Sequence, residues 1–94
     1  MEKHNLDDLA ENGAKGDWCF LENDTCIAIR YGVDAFKEVV VIPISTVPLR
    51  NVSCWTWNGS KDCPTLTPSI LVKAYEGWTL GWHGFLTDGK LITV

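Results

Sequence analysis

Alternating hydrophobic and polar residues dominate the chain from residue 17 onwards and predict short β-strands. Two such runs, WCFLE and TCIAIRY, are separated by Glu22-Asn23-Asp24, which has the composition of a tight turn. In the second run Ile27, Ile29 and Tyr31 share one face, because successive side chains of a strand point to opposite sides. These two runs predict a first β-hairpin.

The segment EVVVIPIS, residues 38–45, carries β-branched residues on both faces, which is typical of a strand covered on both sides. We predict that it is the most buried strand, with Pro43 at an edge or a bulge because proline has no N–H to donate to a neighbour. In NVSCWTW, residues 51–57, the rings of Trp55 and Trp57 are predicted to share one face.

Three further runs predict the C-terminal strands. SILVKAY, residues 69–75, starts directly after a proline. WTLGWHGFL, residues 78–86, and KLITV, residues 90–94, flank a turn at Asp88-Gly89, a dipeptide that suits the twist of a hairpin. This turn sets Leu86 opposite Leu91, Phe85 opposite Ile92 and His83 opposite Val94.

One short helix is predicted near the N-terminus, over residues 5–12, with Asn5 as its N-cap and Gly13 as its stop. Six or seven short strands with this single helix predict a mainly β fold, a small antiparallel β-sandwich or open barrel. At 94 residues the chain is expected to form one domain spanning 1–94.

Composition narrows the class of protein. No apolar run approaches the roughly 20 residues that cross a bilayer, and the polar first residues do not resemble a signal peptide, so we expect a cytoplasmic protein with no membrane partner. A domain this small has little room for a deep cleft. That size weighs against a self-contained enzyme.

Charge is unevenly distributed, with a net of −5 over residues 1–38 and +1 over residues 39–94. No cluster of Lys and Arg is present that could bind a phosphate backbone, so direct nucleic-acid binding is not expected. The acidic half, with Asp7, Asp8 and Glu11 in one short segment, either serves solubility or meets a basic partner.

The four cysteines, Cys19, Cys26, Cys54 and Cys63, are separated by six, 27 and eight residues. Structural zinc sites normally use tight pairs such as C-x2-C, which this spacing lacks. In a secreted chain the four cysteines would suggest two disulfides with three possible pairings, but without an export signal we expect reduced thiols. The spacing predicts no metal or cofactor, with mixed ligation by some cysteines and His83 as the alternative.

Catalytic motifs are absent at the level of sequence. There is no phosphate-binding glycine loop, G-x-S-x-G elbow or H-E-x-x-H helix, and His83 is the one histidine within the predicted strands. Asp62, Glu76 and Asp88 could supply paired carboxylates, but acids in turns are expected on any surface. We predict that the protein is not an enzyme.

Five tryptophans are unusual in so short a chain. Trp55 with Trp57, or Trp78 with Trp82, could form an aromatic platform for a partner's side chain, a sugar or a base. The alternative is that these rings fill a thin core.

A resemblance extends over residues 54–94 and rests on WTWNGSKDCPTLTPSILV and WHGFLTDGKL. These segments resemble a family of small phage and prophage proteins, often labelled "ammonia monooxygenase", with an aromatic residue before Asn-Gly, then Pro-Thr-x-x-Pro-Ser-Ile, then Cys-His-x-Phe-x-x-x-Gly. Relatives in that family look like zinc-binding β-proteins. Here Trp82-His83 replaces Cys-His and no Cys-x-x-Cys occurs, so the resemblance carries over His83, Phe85 and Gly89 but no complete metal site.

The resemblance, the size and the acidity together predict a phage-derived accessory protein that binds a host protein or protein complex, for example to inhibit a defence system such as a CRISPR complex. Its binding residues are then expected among the acidic segment and the aromatic positions; the candidates are Trp55, Trp57, Asp7, Asp8, Glu11, Trp82 and His83. A metal- or small-ligand-binding module is the second alternative, and a small hydrolase is the third.

Overall fold

The computed structural model describes residues 5–34, 38–47, 54–73 and 81–94. Within these ranges the protein consists of one helix and eight strands. Their bounds are α1 Leu6–Asn12, β1 Trp18–Leu21, β2 Cys26–Arg30, β3 Val39–Ser45, β4 Trp55–Trp57, β5 Leu66–Thr67, β6 Ile70–Val72, β7 Trp82–Thr87 and β8 Lys90–Thr93.

The larger sheet has the strand order β1-β2-β3-β4-β5. Its first two strands form the predicted hairpin, which closes at the pair Leu21 and Cys26. Glu22, Asn23 and Asp24 all have positive φ, a conformation that asparagine and aspartate tolerate better than most residues. β4 runs parallel to β3, whereas the other pairs of this sheet are antiparallel.

The smaller sheet has the order β6-β7-β8 and is antiparallel throughout. The predicted register of the last hairpin is confirmed, with Phe85 opposite Ile92 and Leu86 opposite Leu91. Asp88 and Gly89 form its turn at φ 53° and 75°, and the N–H of Val94 donates to the carbonyl oxygen of His83 (3.0 Å).

The predicted fold class is confirmed, because the structure is mainly β with one short helix and two separate sheets that do not close into a barrel. The helix is also confirmed: the side chain of Asn5 accepts a hydrogen bond from the N–H of Asp8 (2.8 Å). β5 was not predicted, since a two-residue strand has no periodicity to detect. The predicted strand segments at 51–53, 74–75 and 78–80 lie outside the described residues.

The expectation that β3 is the most buried strand is wrong. In β3 the side chain of Val41 is 47% exposed, whereas four of the five residues in β2 are buried. The reason is the helix, whose Leu9 packs against Cys19 and Ala28 and so covers the second face of the first hairpin. At Val41 only the core-facing side of β3 is covered, so the other side of the strand is exposed to solvent.

Pro43 does not mark an edge or a bulge, because β3 lies inside the sheet and Pro43 pairs with Cys26. The N–H of Ile44 donates towards β2, to the carbonyl oxygen of Thr25 (3.0 Å). The adjacent Pro43 nitrogen therefore faces the opposite side, where β4 begins to pair only at Ile44. The missing donor thus costs no ladder bond.

The main core lies between the two sheets. Its buried members are Trp18, Phe20, Ile27, Ile29, Ile42, Ile44, Trp57, Leu66, Ile70 and Leu86. Because Ile70 and Leu86 point into this core, the alternate residues of β6 and β7 point outwards to solvent.

A buried arginine ties the helix to the first sheet. Arg30 is 8% exposed, and its guanidinium donates to five backbone carbonyl oxygens at 2.6 to 3.2 Å. Three of them lie at the C-terminal end of α1 and two follow β2; they belong to Leu9, Ala10, Gly13, Gly32 and Val33. The arginine thereby adds donors at the C-terminal end of the helix, where the carbonyl of Leu9 also accepts from the N–H of Gly13 (3.0 Å).

Candidate functional site

A serine and a histidine meet on the outward face of β6 and β7. The Oγ of Ser69 and the Nε2 of His83 are 3.1 Å apart. His83 is exposed and Ser69 is half-buried, so the pair is open to solvent. This is the sequence-predicted candidate His83 brought together with a serine that the sequence analysis did not single out.

Strand pairing explains this meeting. Leu71 of β6 pairs directly with His83, and Ser69, the residue before β6, precedes Leu71 by two positions, so the side chains of Ser69 and Leu71 fall on the same face as the imidazole. Residues at diagonal positions of neighbouring antiparallel strands are within reach of a long side chain. Burial of Ile70 and Gly84, which alternate with these residues, holds the face outwards.

The geometry suits nucleophilic chemistry. A hydroxyl is a weak nucleophile by itself and is activated when a base accepts its proton, which requires a separation of about 2.6–3.2 Å. In the tautomer that carries its proton on Nδ1, the Nε2 atom of His83 accepts the hydrogen bond of the Ser69 hydroxyl. The pair is therefore able to generate a nucleophilic oxygen at the surface of the sheet.

Trp55 anchors the backbone of this serine. Its indole Nε1–H donates to the carbonyl oxygen of Ser69 (3.3 Å), which connects β4 of the larger sheet to the start of β6. Trp55 is half-buried and packs against the main core. The Trp55 side chain thus both packs against the core and donates a hydrogen bond at the site.

The loop that leads into the site is held by Asn58. Its side-chain oxygen accepts from the N–H groups of Ser60 and Thr65, and its Nδ2 donates to the carbonyl oxygen of Cys63. The Thr65 hydroxyl in turn accepts from the N–H of Asp88 (2.8 Å) in the last hairpin turn. These bonds link the segment before β6 to the hairpin that carries His83.

The other aromatic candidates lie away from the pair. Trp57 is buried in the main core beside Phe20, with ring centroids 5.0 Å apart. Trp82 is adjacent to His83 in the strand and so points to the opposite face, where it stacks on Tyr31 at 5.7 Å. Trp78 lies outside the described residues.

The acidic candidates belong to the helix. Asp7 and Asp8 lie in the first turn of α1, and Glu11 is exposed nearer its end. α1 packs on β1 and β2 of the larger sheet, whereas Ser69 and His83 belong to the smaller sheet. The acids therefore form a surface of their own.

The cysteines do not gather around His83. None of the four is in a disulfide; Cys19 is buried, Cys63 is exposed and the other two are half-buried. Among residues 5–34, 38–47, 54–73 and 81–94, no three His, Cys, Asp or Glu side chains converge as metal ligands. In the same ranges no helix is long and apolar enough to cross a membrane.

Ser69 was missed because a single serine after a proline carries no catalytic pattern. The signal that could have found it was the resemblance itself, which joins Pro68-Ser69-Ile70 to His83 in one set of motif residues. Placing the two runs as antiparallel neighbours would have brought the serine and the histidine to one face.

Comparison with known protein families gives a match. Residues 34–94, more than half of the chain, match the family described as "Bacterial ubiquitination-like system serine protease (BubE)". No curated protein and no solved structure matches the chain. The match includes both Ser69 and His83.

The prediction that the protein is not an enzyme is contradicted by this match to a serine protease family. The prediction relied on the absence of local catalytic motifs. A nucleophile and a base need to be close in space rather than in sequence, and here they are 14 positions apart in the chain, one just before β6 and the other in β7.

Proposed function

Since the chain belongs to the family of bacterial ubiquitination-like system serine proteases, we propose that it hydrolyses a polypeptide substrate with Ser69 as nucleophile and His83 as general base. The observation that carries the proposal is the 3.1 Å separation between Ser69 Oγ and His83 Nε2. A serine paired with a histidine supplies the nucleophile and the base of the Ser-His-Asp type of protease, and this chain has such a pair within the residues that match the family.

The reaction proceeds in two steps. Ser69 Oγ attacks the substrate carbonyl carbon while its proton passes to His83 Nε2; the carbon–nitrogen bond then breaks, and the leaving amine takes that proton. Water next attacks the resulting ester, giving a proton to His83. The carbon–Oγ bond breaks, the proton returns to Ser69, and the acid product leaves.

The shape of the site favours a macromolecular substrate. The pair lies on the outward face of a sheet, with His83 exposed, so a polypeptide chain can reach it without entering a deep pocket. The family description supports a substrate from a bacterial ubiquitination-like system. None of the four cysteines is in a disulfide, which is compatible with a reducing compartment and supports action in the cytoplasm.

The test uses two small reagents that need no knowledge of the natural substrate. A fluorophosphonate should label the chain once, on Ser69, as an oxygen–phosphorus bond forms and fluoride leaves. p-Nitrophenyl acetate should release one nitrophenolate per chain in a burst, as Ser69 becomes acetylated. His83→Gln should abolish both reactions, and labelling at another residue, or equal labelling of His83→Gln, would contradict the proposal.

Trp55→Phe tests how the nucleophile is positioned. The phenyl ring keeps an aromatic side chain against the core, but the carbonyl of Ser69 loses its donor. We expect kcat for p-nitrophenyl acetate to fall about three- to tenfold, equivalent to one lost hydrogen bond, with KM unchanged. Kinetics and thermal unfolding should be measured together, since a change in KM alone would argue against a positioning role.

Binding of a host protein, phage origin and inhibition of a defence system stay predictions from the sequence. The acidic surface of α1 is the feature that would carry such binding. It is independent of the Ser69 and His83 pair.

A further inference from the structure

Exposed apolar side chains surround the Ser69 and His83 pair. Leu71 is 60% exposed, Phe85 38%, Ile92 50% and Val94 72%. We call these four residues the apolar face.

The apolar face is continuous with the reactive pair. Leu71 pairs with His83, and Phe85 pairs with Ile92 and lies two residues after His83 on the same side of β7. Val94, the residue after β8, lies opposite His83, because its N–H donates a hydrogen bond to the carbonyl oxygen of His83. Directly opposite side chains in such pairs lie about 5 Å apart, so any chain that reaches Ser69 also contacts these residues.

Such grouping differs from the rest of the described surface. The other large exposed apolar residues are distributed over separate places in the fold: Leu6 in α1, Val33 after β2, Val41 in β3 and Val47 after β3. Single exposed apolar residues are ordinary, whereas a contiguous group marks a surface that another molecule covers.

Charge also distinguishes this face. As described, β6, β7 and β8 contain no Asp or Glu, and Lys90 is their one charged residue, although the whole chain carries a net charge of −4. Lys90 is exposed at the end of the face. A substrate segment with apolar side chains therefore meets no carboxylate on these strands.

We infer that the apolar face binds the substrate side chains next to the cleaved bond, so that the protein selects an extended polypeptide segment whose residues there are apolar. This inference rests on the proposed function. Burial of an apolar side chain on Leu71 and Phe85 stabilises the bound segment, and it removes water from around Ser69 and His83.

The experiment compares two peptide reagents of matched shape. Tripeptidyl diphenyl phosphonates ending in Leu-Leu and in Asn-Asn react with Ser69 as an oxygen–phosphorus bond forms and one phenol leaves with the hydroxyl proton. Leucine and asparagine are similar in size but differ in polarity. We expect the Leu-Leu reagent to label at least about tenfold faster, the range that hydrophobic subsites give.

Substitutions in the apolar face test whether it causes the preference for the Leu-Leu reagent. Leu71→Ser and Phe85→Ser should reduce the ratio of the two labelling rates towards one, because each removes apolar surface that the Leu-Leu reagent contacts. The small fluorophosphonate, which has no peptide side chains, checks that each variant still reacts at Ser69. Val41→Ser is the matched control, since Val41 is similarly exposed but lies in the other sheet. Its ratio should equal that of the parent protein.

The outcomes separate the two claims. Equal rates for the two peptide reagents, no reaction with either, or an equal effect of Val41→Ser would overturn the inference while fluorophosphonate labelling of Ser69 still supported the proposed function. If the fluorophosphonate fails to label Ser69, the proposed function fails and the inference fails with it.

Discussion

Replacing Ser69 with alanine should abolish both the burst with p-nitrophenyl acetate and labelling by the fluorophosphonate. Loss of the nucleophile from a serine–histidine pair removes the covalent pathway, so we expect kcat to fall by about 10³-fold or more. Because the Ser69 side chain is only half-buried, removing its Oγ removes few packing contacts. The rates are measured spectrophotometrically on parent and variant, after subtraction of spontaneous hydrolysis.

Ser45→Ala is the control for this substitution. Ser45 lies at the end of β3 in the other sheet, and its hydroxyl accepts a 3.3 Å hydrogen bond from the N–H of Val47. This variant should retain the parent burst and labelling. A Ser69→Ala protein that is folded and still reacts at the parent rate would show that another residue is the nucleophile.

The second large effect concerns stability. Arg30→Met should lower the free energy of unfolding by at least about 3 kcal/mol, because it removes five hydrogen bonds from a buried guanidinium. Methionine fills a similar length but donates no hydrogen bond. Domains of this size have a total stability as low as about 5 kcal/mol, so the variant should unfold at a much lower urea concentration.

Lys61→Met provides the comparison. The Nζ of Lys61 lies 3.1 Å from a carboxylate oxygen of Asp24, and both side chains are substantially exposed. An exposed pair of this kind contributes about 0–1 kcal/mol, so its midpoint in urea should change little. Equal losses in Arg30→Met and Lys61→Met would show that the guanidinium bonds do not stabilise the fold.

The local sequence pattern was sufficient to predict the elements that depend on contacts between residues close together in the chain. Asn5 caps the helix through the N–H of Asp8, and the hairpin at Asp88-Gly89 has the predicted register. Both depend on interactions between residues a few positions apart, so the chain order itself specifies them. The mainly β class follows from the same periodicity.

The local sequence pattern could not predict which residues are buried. The β-branched residues of β3 suggested a strand covered on both sides, yet the helix covers β1 and β2 instead and leaves Val41 exposed. Arg30 gave no sign of its role, because an arginine in a strand sequence is ordinarily assigned to the surface. Its five carbonyl acceptors come from residues 2 to 21 positions away.

The sequence by itself determined the class of fold, the helix and the hairpins, and it contained Ser69 and His83 in the two runs of the resemblance. Only the tertiary structure decided that these two residues form a pair. Their meeting depends on β6 lying antiparallel to β7 in a register that aligns Leu71 with His83. A shift of one residue would turn the serine towards the core, because side chains alternate between the two faces of a strand.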